Sequence, residues 1–216
     1  MNLAGPMIRV FRRTTSNARP SSGTVGFFPE SQLAHRFLDG LEGLEIGGSA
    51  HNPFGLRTRN VDYTDDMTTS FKLDEARLCG RALPVDIVSP GDRLPFPDAS
   101  VDFVISSHVL EHFFDPIGAL KEWYRVVRPK GFIFAIVPHK ERTFDKERPR
   151  TGLVELIARH ERRLQVAEGA DLHGHHSVWI TEDVVELIRY LGWTLVAVQD
   201  RDDKVGNGFT FVVQKA

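Results

Sequence analysis

The chain has 216 residues, more than one average domain of about 150, and its 41% apolar, 10% aromatic and 26% charged content excludes global disorder, collagen-like repeats and coiled coils. Lys plus Arg number 27 and Asp plus Glu 29, a net charge of −2, so no basic excess marks a partner as nucleic acid or an acidic membrane. The single Cys79 excludes an internal disulfide and any multi-cysteine zinc site, and accords with a reducing, cytoplasmic setting.

Residues 1–29 contain Arg9, Arg12, Arg13 and Arg19 and no acid before Glu30. They read as a basic N-terminal arm, with an organelle transit peptide as the alternative, ahead of one domain over residues 30–216. No apolar run approaches the roughly 18 residues of a membrane span. From Leu41 onward, short β-branched runs alternate with amphipathic stretches, the form of a mainly parallel sheet covered by helices on both faces. Strands are predicted at 42–47, 59–63, 84–88, 101–106, 131–137, 194–199 and 208–214. Several are apolar on both faces, as in the middle of a sheet.

A helix should start after Asp115-Pro116, with Asp as N-cap and Pro in the first turn, burying Ile117, Leu120, Tyr124 and Val127 and stopping at Pro129 and Gly131. Residues 139–178 break the alternation. They carry many charges, a predicted helix near 151–163 and the run Asp171-Leu-His-Gly-His-His176, and read as an insertion or lid over the carboxyl ends of the strands. A last helix follows Thr181, packs through Val184, Leu187, Ile188 and Leu191, and ends at Gly192. The final two strands flank a short loop at 200–208 and should form an antiparallel hairpin.

The first predicted strand ends in LEIGGSAH, and the second ends at Asp62, seventeen residues after Glu45. A glycine turn admits close backbone approach, and a strand-end acid can accept from both ribose hydroxyls, so the arrangement suits a nucleoside. It fails as a dinucleotide fingerprint: Ser49 and Asn52 stand where the second and third glycines belong, and Pro53 and Gly55 oppose the helix that would hold a pyrophosphate.

The stretch LEIGGSAH…NVDY…RLPFPDASVDFVISSHVLEHFFDPIGALKEWYRVVRPKGFIFAIVP resembles the class I S-adenosylmethionine-dependent methyltransferases of the small-molecule (type 11) group over residues 41–138. The resemblance implies a Rossmann-like seven-stranded sheet with an antiparallel last strand, and S-adenosylmethionine as cofactor. It places Glu45, Gly47, Gly48 and Ser49 by the methionine part, Asp62 on the ribose, Asp92, Arg93 and Leu94 beside adenine, and Ser107 and His108 near the methyl group. Three positions depart from the family pattern: Ser49 replaces a glycine, Pro53 shortens the first helix, and Pro90 stands where an acid is usual. The chain's tail is similar to methyltransferases of carbohydrate biosynthesis, those acting on mannose-type polysaccharides among them.

Methyl transfer to a neutral hydroxyl needs a proton acceptor within hydrogen-bond reach. Glu111, His139 and His108 are the candidates by position, and His112 reads as structural. HVLEH also matches the H-x-x-E-H zinc-protease motif, which needs an established helix that this strand end does not offer. Asp145, Arg148, His173, His175 and His176 in the insertion suit a hydroxyl-rich acceptor, a sugar or oligosaccharide, or else a divalent ion such as Mg²⁺. The expected function is O-methylation of that acceptor, with no nucleic-acid substrate and a homodimer as an allowed assembly. Nucleic-acid amino methylation is disfavoured because Ser106-Ser107-His108-Val109 replaces an Asn-Pro-Pro-aromatic motif. The alternative is a non-catalytic member that binds the cofactor or a partner.

Overall fold

A computed structural model describes residues 27–167 and 174–216; the basic arm up to residue 26, together with residues 168–173 and so His173, lies outside the described residues. The elements run α1 (Gln32–Leu38), β1 (Glu42–Ile46), β2 (Arg57–Asp62), α2 (Ser70–Cys79), β3 (Ile87–Val88), β4 (Val101–Ser107), α3 (Pro116–Val126), β5 (Val127–Pro138), α4 (Leu153–His160), α5 (Thr181–Tyr190), β6 (Thr194–Gln199) and β7 (Gly208–Gln214). They build one seven-stranded sheet in the order β3-β2-β1-β4-β5-β7-β6. All neighbours are parallel except β7, which runs antiparallel to both β5 and β6.

The central strands alternate their apolar side chains between two cores. Leu44, Ile46, Val104, Ile133, Ala135 and Val137 face α3, α4 and α5, where Ile117, Leu120, Trp123, Leu156, Leu187 and Ile188 are buried. Phe103, Ile105, Phe134 and Ile136 face the other way, against Leu33, Ala34 and Leu38 of α1 and against Phe54. The buried cluster on this second face draws on α1 and on the loop that carries Phe54.

Local chemistry sets the ends of these elements. The Asp115 side chain caps α3 by accepting from the Gly118 N–H at 2.8 Å, with Pro116 in the first turn. The helix stops at Val126, earlier than the expected Pro129. Val127 is already extended and pairs with Val101, and Arg128, preceding a proline, is pushed out of the helical region. β3 is shorter than 84–88 because the Asp86 side chain, at 2.7 Å, takes the Asn60 N–H that a longer strand would use.

Two helices were not foreseen. Ser31 caps α1 and Thr69 caps α2 through side-chain oxygens, but α2 buries Lys72 and Glu75 and so shows no apolar stripe.

The β6–β7 loop is organised by buried Asp202, whose carboxylate accepts from the N–H groups of Lys204, Val205, Gly206 and Gly208 at 2.7–3.0 Å. Asp202→Ala should lower stability by about 2–3 kcal/mol, since it strands several N–H groups in a buried turn. The loss should appear as a lower urea midpoint at unchanged slope. An unchanged midpoint would mean that water replaces the carboxylate at no cost.

Candidate active site

Strand order reverses between β1 and β4, and the crevice outside the carboxyl ends of strands at such a switch point is where open α/β sheets bind ligands. A cavity of roughly 630 Å³ opens there, lined from Phe28 to Asn207 by the loops after β1, β2 and β4, by one side of α2, by Pro90, Gly91 and Asp92, and by the β6–β7 loop.

At the β1 end, Gly47 has φ +67°, and a Cβ on it would come within 2.7 Å of Val109. The Gly48 N–H donates to Asn60 Oδ1 at 3.0 Å. Glu45 is buried, accepts from the Thr58 hydroxyl at 3.1 Å and lies near Lys204; burial pushes its pKa up to about 7. Asp62 accepts from the Tyr63 N–H at 2.7 Å while lining the cavity, and desolvation raises it above the usual carboxylate range.

No helix forms between β1 and β2; Gly47–Leu56 is a loop throughout. Other parts of the chain tie it down. Buried Glu75 of α2 accepts from the Ala50 N–H, and from the Leu83 N–H at 2.6 Å, while pairing with Lys72 at 3.2 Å. Lys204 donates to Pro53 O and Pro29 O and lies over the Phe54 ring. Asn52 Nδ2 donates to Ser107 Oγ at 3.2 Å.

Of the residues expected beside adenine, Asp92 lines the cavity rim but Arg93 and Leu94 do not. Leu94 is buried, its N–H held by Glu122 at 2.7 Å, and Trp123 Nε1 donates to Gly91 O at 2.7 Å. The LPF block is therefore an anchor under α3, and Gly91 and Phe113 form the wall instead.

At the β4 end, His108 lines the cavity with φ +55°, its backbone N–H fixed to Ile136 O at 2.9 Å. His108 Nε2, Asn52 Oδ1 and Asn207 Oδ1 are buried without a hydrogen-bond partner among the described residues. Burial lowers the His108 pKa below the usual histidine value. His139 lies outside the cavity lining, its Nδ1 accepting from the Glu141 N–H at 3.1 Å and its ring packed edge-on against Phe209. Glu111 is fully buried behind His108 and does not line the cavity either; burial pushes its pKa up to about 8.

The insertion also differs from the expected lid. Asp145, Arg148, His175 and His176 are absent from the cavity wall. Asp145 is buried and holds His175 Nδ1 and Arg148, both at 2.6 Å, while Arg148 also donates to His175 O at 2.7 Å. The His176 and Ser177 N–H groups donate to Glu111 O, and the His176 ring meets Phe114 edge-on. The segment is thus docked on the turn after β4.

Sequence reasoning had not singled out Asn207, Lys72, Glu75 and Phe113, and had met Asn52 only as a departure from a glycine pattern. The i, i+3 spacing of opposite charges was the one sequence signal for Lys72 and Glu75, and it does not disclose that the pair is buried. Asn207 reaches the site through the fold alone.

A family model described as a methyltransferase domain matches residues 46–135. A probable S-adenosylmethionine-dependent methyltransferase of Mycolicibacterium smegmatis is 38% identical over 79 residues, 37% of this chain and 29% of the relative. The matched part is therefore less than a third of that relative's length. Among solved structures, a methyltransferase of Thermotoga maritima described as a possible histamine N-methyltransferase aligns at TM-score 0.52 and 17% identity, covering 85% of this chain and 92% of the other. The [4+2]-cyclase SpnF aligns at 0.51 and 16%, covering 85% and 78%. These likenesses are of fold, and neighbours with such different chemistries leave the acceptor to be argued from the site.

Proposed function

We propose that the chain is a class I S-adenosylmethionine-dependent methyltransferase and that it methylates a hydroxyl of a small hydroxyl-rich acceptor, a sugar or oligosaccharide; the matched methyltransferase domain over residues 46–135 supports the first part. S-adenosylmethionine supplies an electrophilic methyl group on a sulfonium sulfur. The residues present fit it. The glycine turn at Gly47-Gly48 and buried Glu45 suit the amino-acid end, Asp62 suits the ribose diol, and Gly91, Asp92 and Phe113 suit a flat base. The cavity volume lies in the range of about 300–1,000 Å³ usual for small-ligand sites.

The observation that carries the acceptor reading is the trio of buried polar atoms without a hydrogen-bond partner at the β4 end, His108 Nε2, Asn52 Oδ1 and Asn207 Oδ1. Buried polar atoms left unmatched are costly, and hydroxyl groups entering this corner, which both donate and accept, supply the missing partners. His108 takes the proton of the attacked hydroxyl on Nε2, and the two asparagines orient its neighbours. The rest of the chain's contribution is alignment and exclusion of water.

Incubation with S-adenosylmethionine and a panel of mannosides, other glycosides and amines, read by mass spectrometry, tests this. Gain of a methyl group on a sugar oxygen is expected. Methylation confined to amines would overturn the hydroxyl assignment. Tight binding of S-adenosylhomocysteine (SAH) with no turnover on any acceptor would favour the non-catalytic alternative.

A further inference from the structure

Behind the cavity, Glu111 presents a problem that hydrogen bonding does not solve. It sits in the single turn Leu110–His112 after β4, none of its side chain is exposed, and neither carboxylate oxygen has a hydrogen-bond partner among the described residues. Its Oε1 is 3.8 Å from His175 Nε2 and 3.9 Å from His112 Nε2. These distances are too long for hydrogen bonds.

The tautomers follow from the partners. His175 Nδ1 lies 2.6 Å from an Asp145 oxygen, and His112 Nδ1 lies 3.2 Å from Gly174 O. A carbonyl can only accept, and an aspartate already engaged by Arg148 is also an acceptor, so both rings carry their hydrogen on Nδ1. In the neutral ring this tautomer carries its lone pair on Nε2, on the side where Glu111 lies.

We infer that Glu111, His112 and His175 form a binding site for one divalent transition-metal ion of the zinc class, bordering the acceptor end of the cavity.

Four points support the assignment. The three ligand atoms lie within 4.8 Å of one another, and the 3.8–3.9 Å separations are a few tenths of an ångström wider than the roughly 3.4 Å of tetrahedral ligands about 2.1 Å from one ion. Inward movement of all three side chains, whose ligand atoms lie within 4.8 Å of one another, closes the set. Asp145 is the partner that metal-bound histidines use to fix ring and tautomer, and it is itself buried and braced by Arg148. Two imidazoles with one carboxylate suit zinc-class ions better than Mg²⁺, which prefers oxygen. Finally, His112 lines the cavity and His108 Nδ1 stands 3.9 Å from the same Glu111 oxygen, so the site opens toward the acceptor corner.

The site does not depend on the methyl-transfer reading, and binding can be read without turnover. Untagged full-length protein is titrated with Co²⁺, followed by visible absorption, and with Zn²⁺, followed by calorimetry and by thermal unfolding. The expected result is one Co²⁺ per chain, displaced by Zn²⁺ but not by excess Mg²⁺. Glu111→Gln and His175→Ala should weaken binding at least ten-fold, and Asp145→Asn by about ten- to a hundred-fold. His35→Ala, distant and paired with Glu30 and Asp39, should not change it. Circular dichroism checks each variant; if Glu111→Gln does not fold, His175→Ala and Asp145→Asn carry the test. Absence of stoichiometric Co²⁺ and Zn²⁺ binding, displacement by Mg²⁺, or wild-type binding in the folded variants would overturn the assignment. SAH binding, measured on the same samples, keeps that failure separate from the fate of the cofactor site.

Discussion

His108→Asn should turn over a hydroxyl acceptor about a hundred-fold or more slowly, the usual range for losing a positioned base, while SAH affinity stays near wild type. Asparagine is the informative replacement because His108 sits at φ +55°, a region that Asn tolerates and alanine does not. The backbone bond to Ile136 O is thereby kept, and what is removed is a nitrogen able to take a proton. The effect should fall on kcat, since the group acts on the attacked hydroxyl and not on the cofactor. Turnover within a few-fold of wild type would show that alignment alone drives the reaction and that His108 is not the base.

Asp62→Ala should weaken SAH binding about ten- to a hundred-fold, the equivalent of about 1.5–3 kcal/mol for a charged acceptor lost from a buried diol. Calorimetry measures it directly. A pH dependence accompanies the effect, and its sign follows from the carboxylate. Two hydroxyls donating to Asp62 favour its ionised form, so affinity is full above the pKa of the free protein and falls as pH drops through it. Desolvation raises that pKa from its ordinary value, so the loss begins at higher pH than for an exposed aspartate. Asp62→Ala should abolish this dependence. Wild-type affinity in the variant would remove Asp62 from the site.

Those two residues show what the sequence discloses. Strand ends are legible because period-two burial and the following turn residues are local signals, and both Asp62 and His108 are strand-end residues. The seven strands and the helices α3 to α5 follow from the same logic. Helix α2 was hidden because its buried face is Lys72 and Glu75, charges that satisfy each other and the backbone only once the loop after β1 lies against them. The HVLEH motif was set aside because it lacks a helix, and the structure does give it only a single turn. Glu111 and His112 nevertheless meet a histidine 63 residues beyond His112, a pairing no spacing rule contains. In the described part of the insertion the acid and the arginine point to each other and to His175, which sequence alone cannot distinguish from pointing at a ligand.

The ties on the loop after β1 have a kinetic meaning. Lys204 reaches Pro53 and Pro29 across 151 and 175 residues, and Asp203 takes the Leu33 N–H across 170. Contacts of such span form slowly, because the entropy of closure is lost before any packing compensates it. During translation at about 5–20 residues per second, Pro53 waits on the order of ten seconds for Lys204 to be made. The nucleoside mouth should therefore be completed late, after β7 has entered between β5 and β6. In refolding, SAH binding should recover behind the far-ultraviolet signal; simultaneous recovery would contradict that order. A chain assembled in this order takes up its cofactor only once residues 29–53 have met Asp203 and Lys204, so occupancy reports a finished fold.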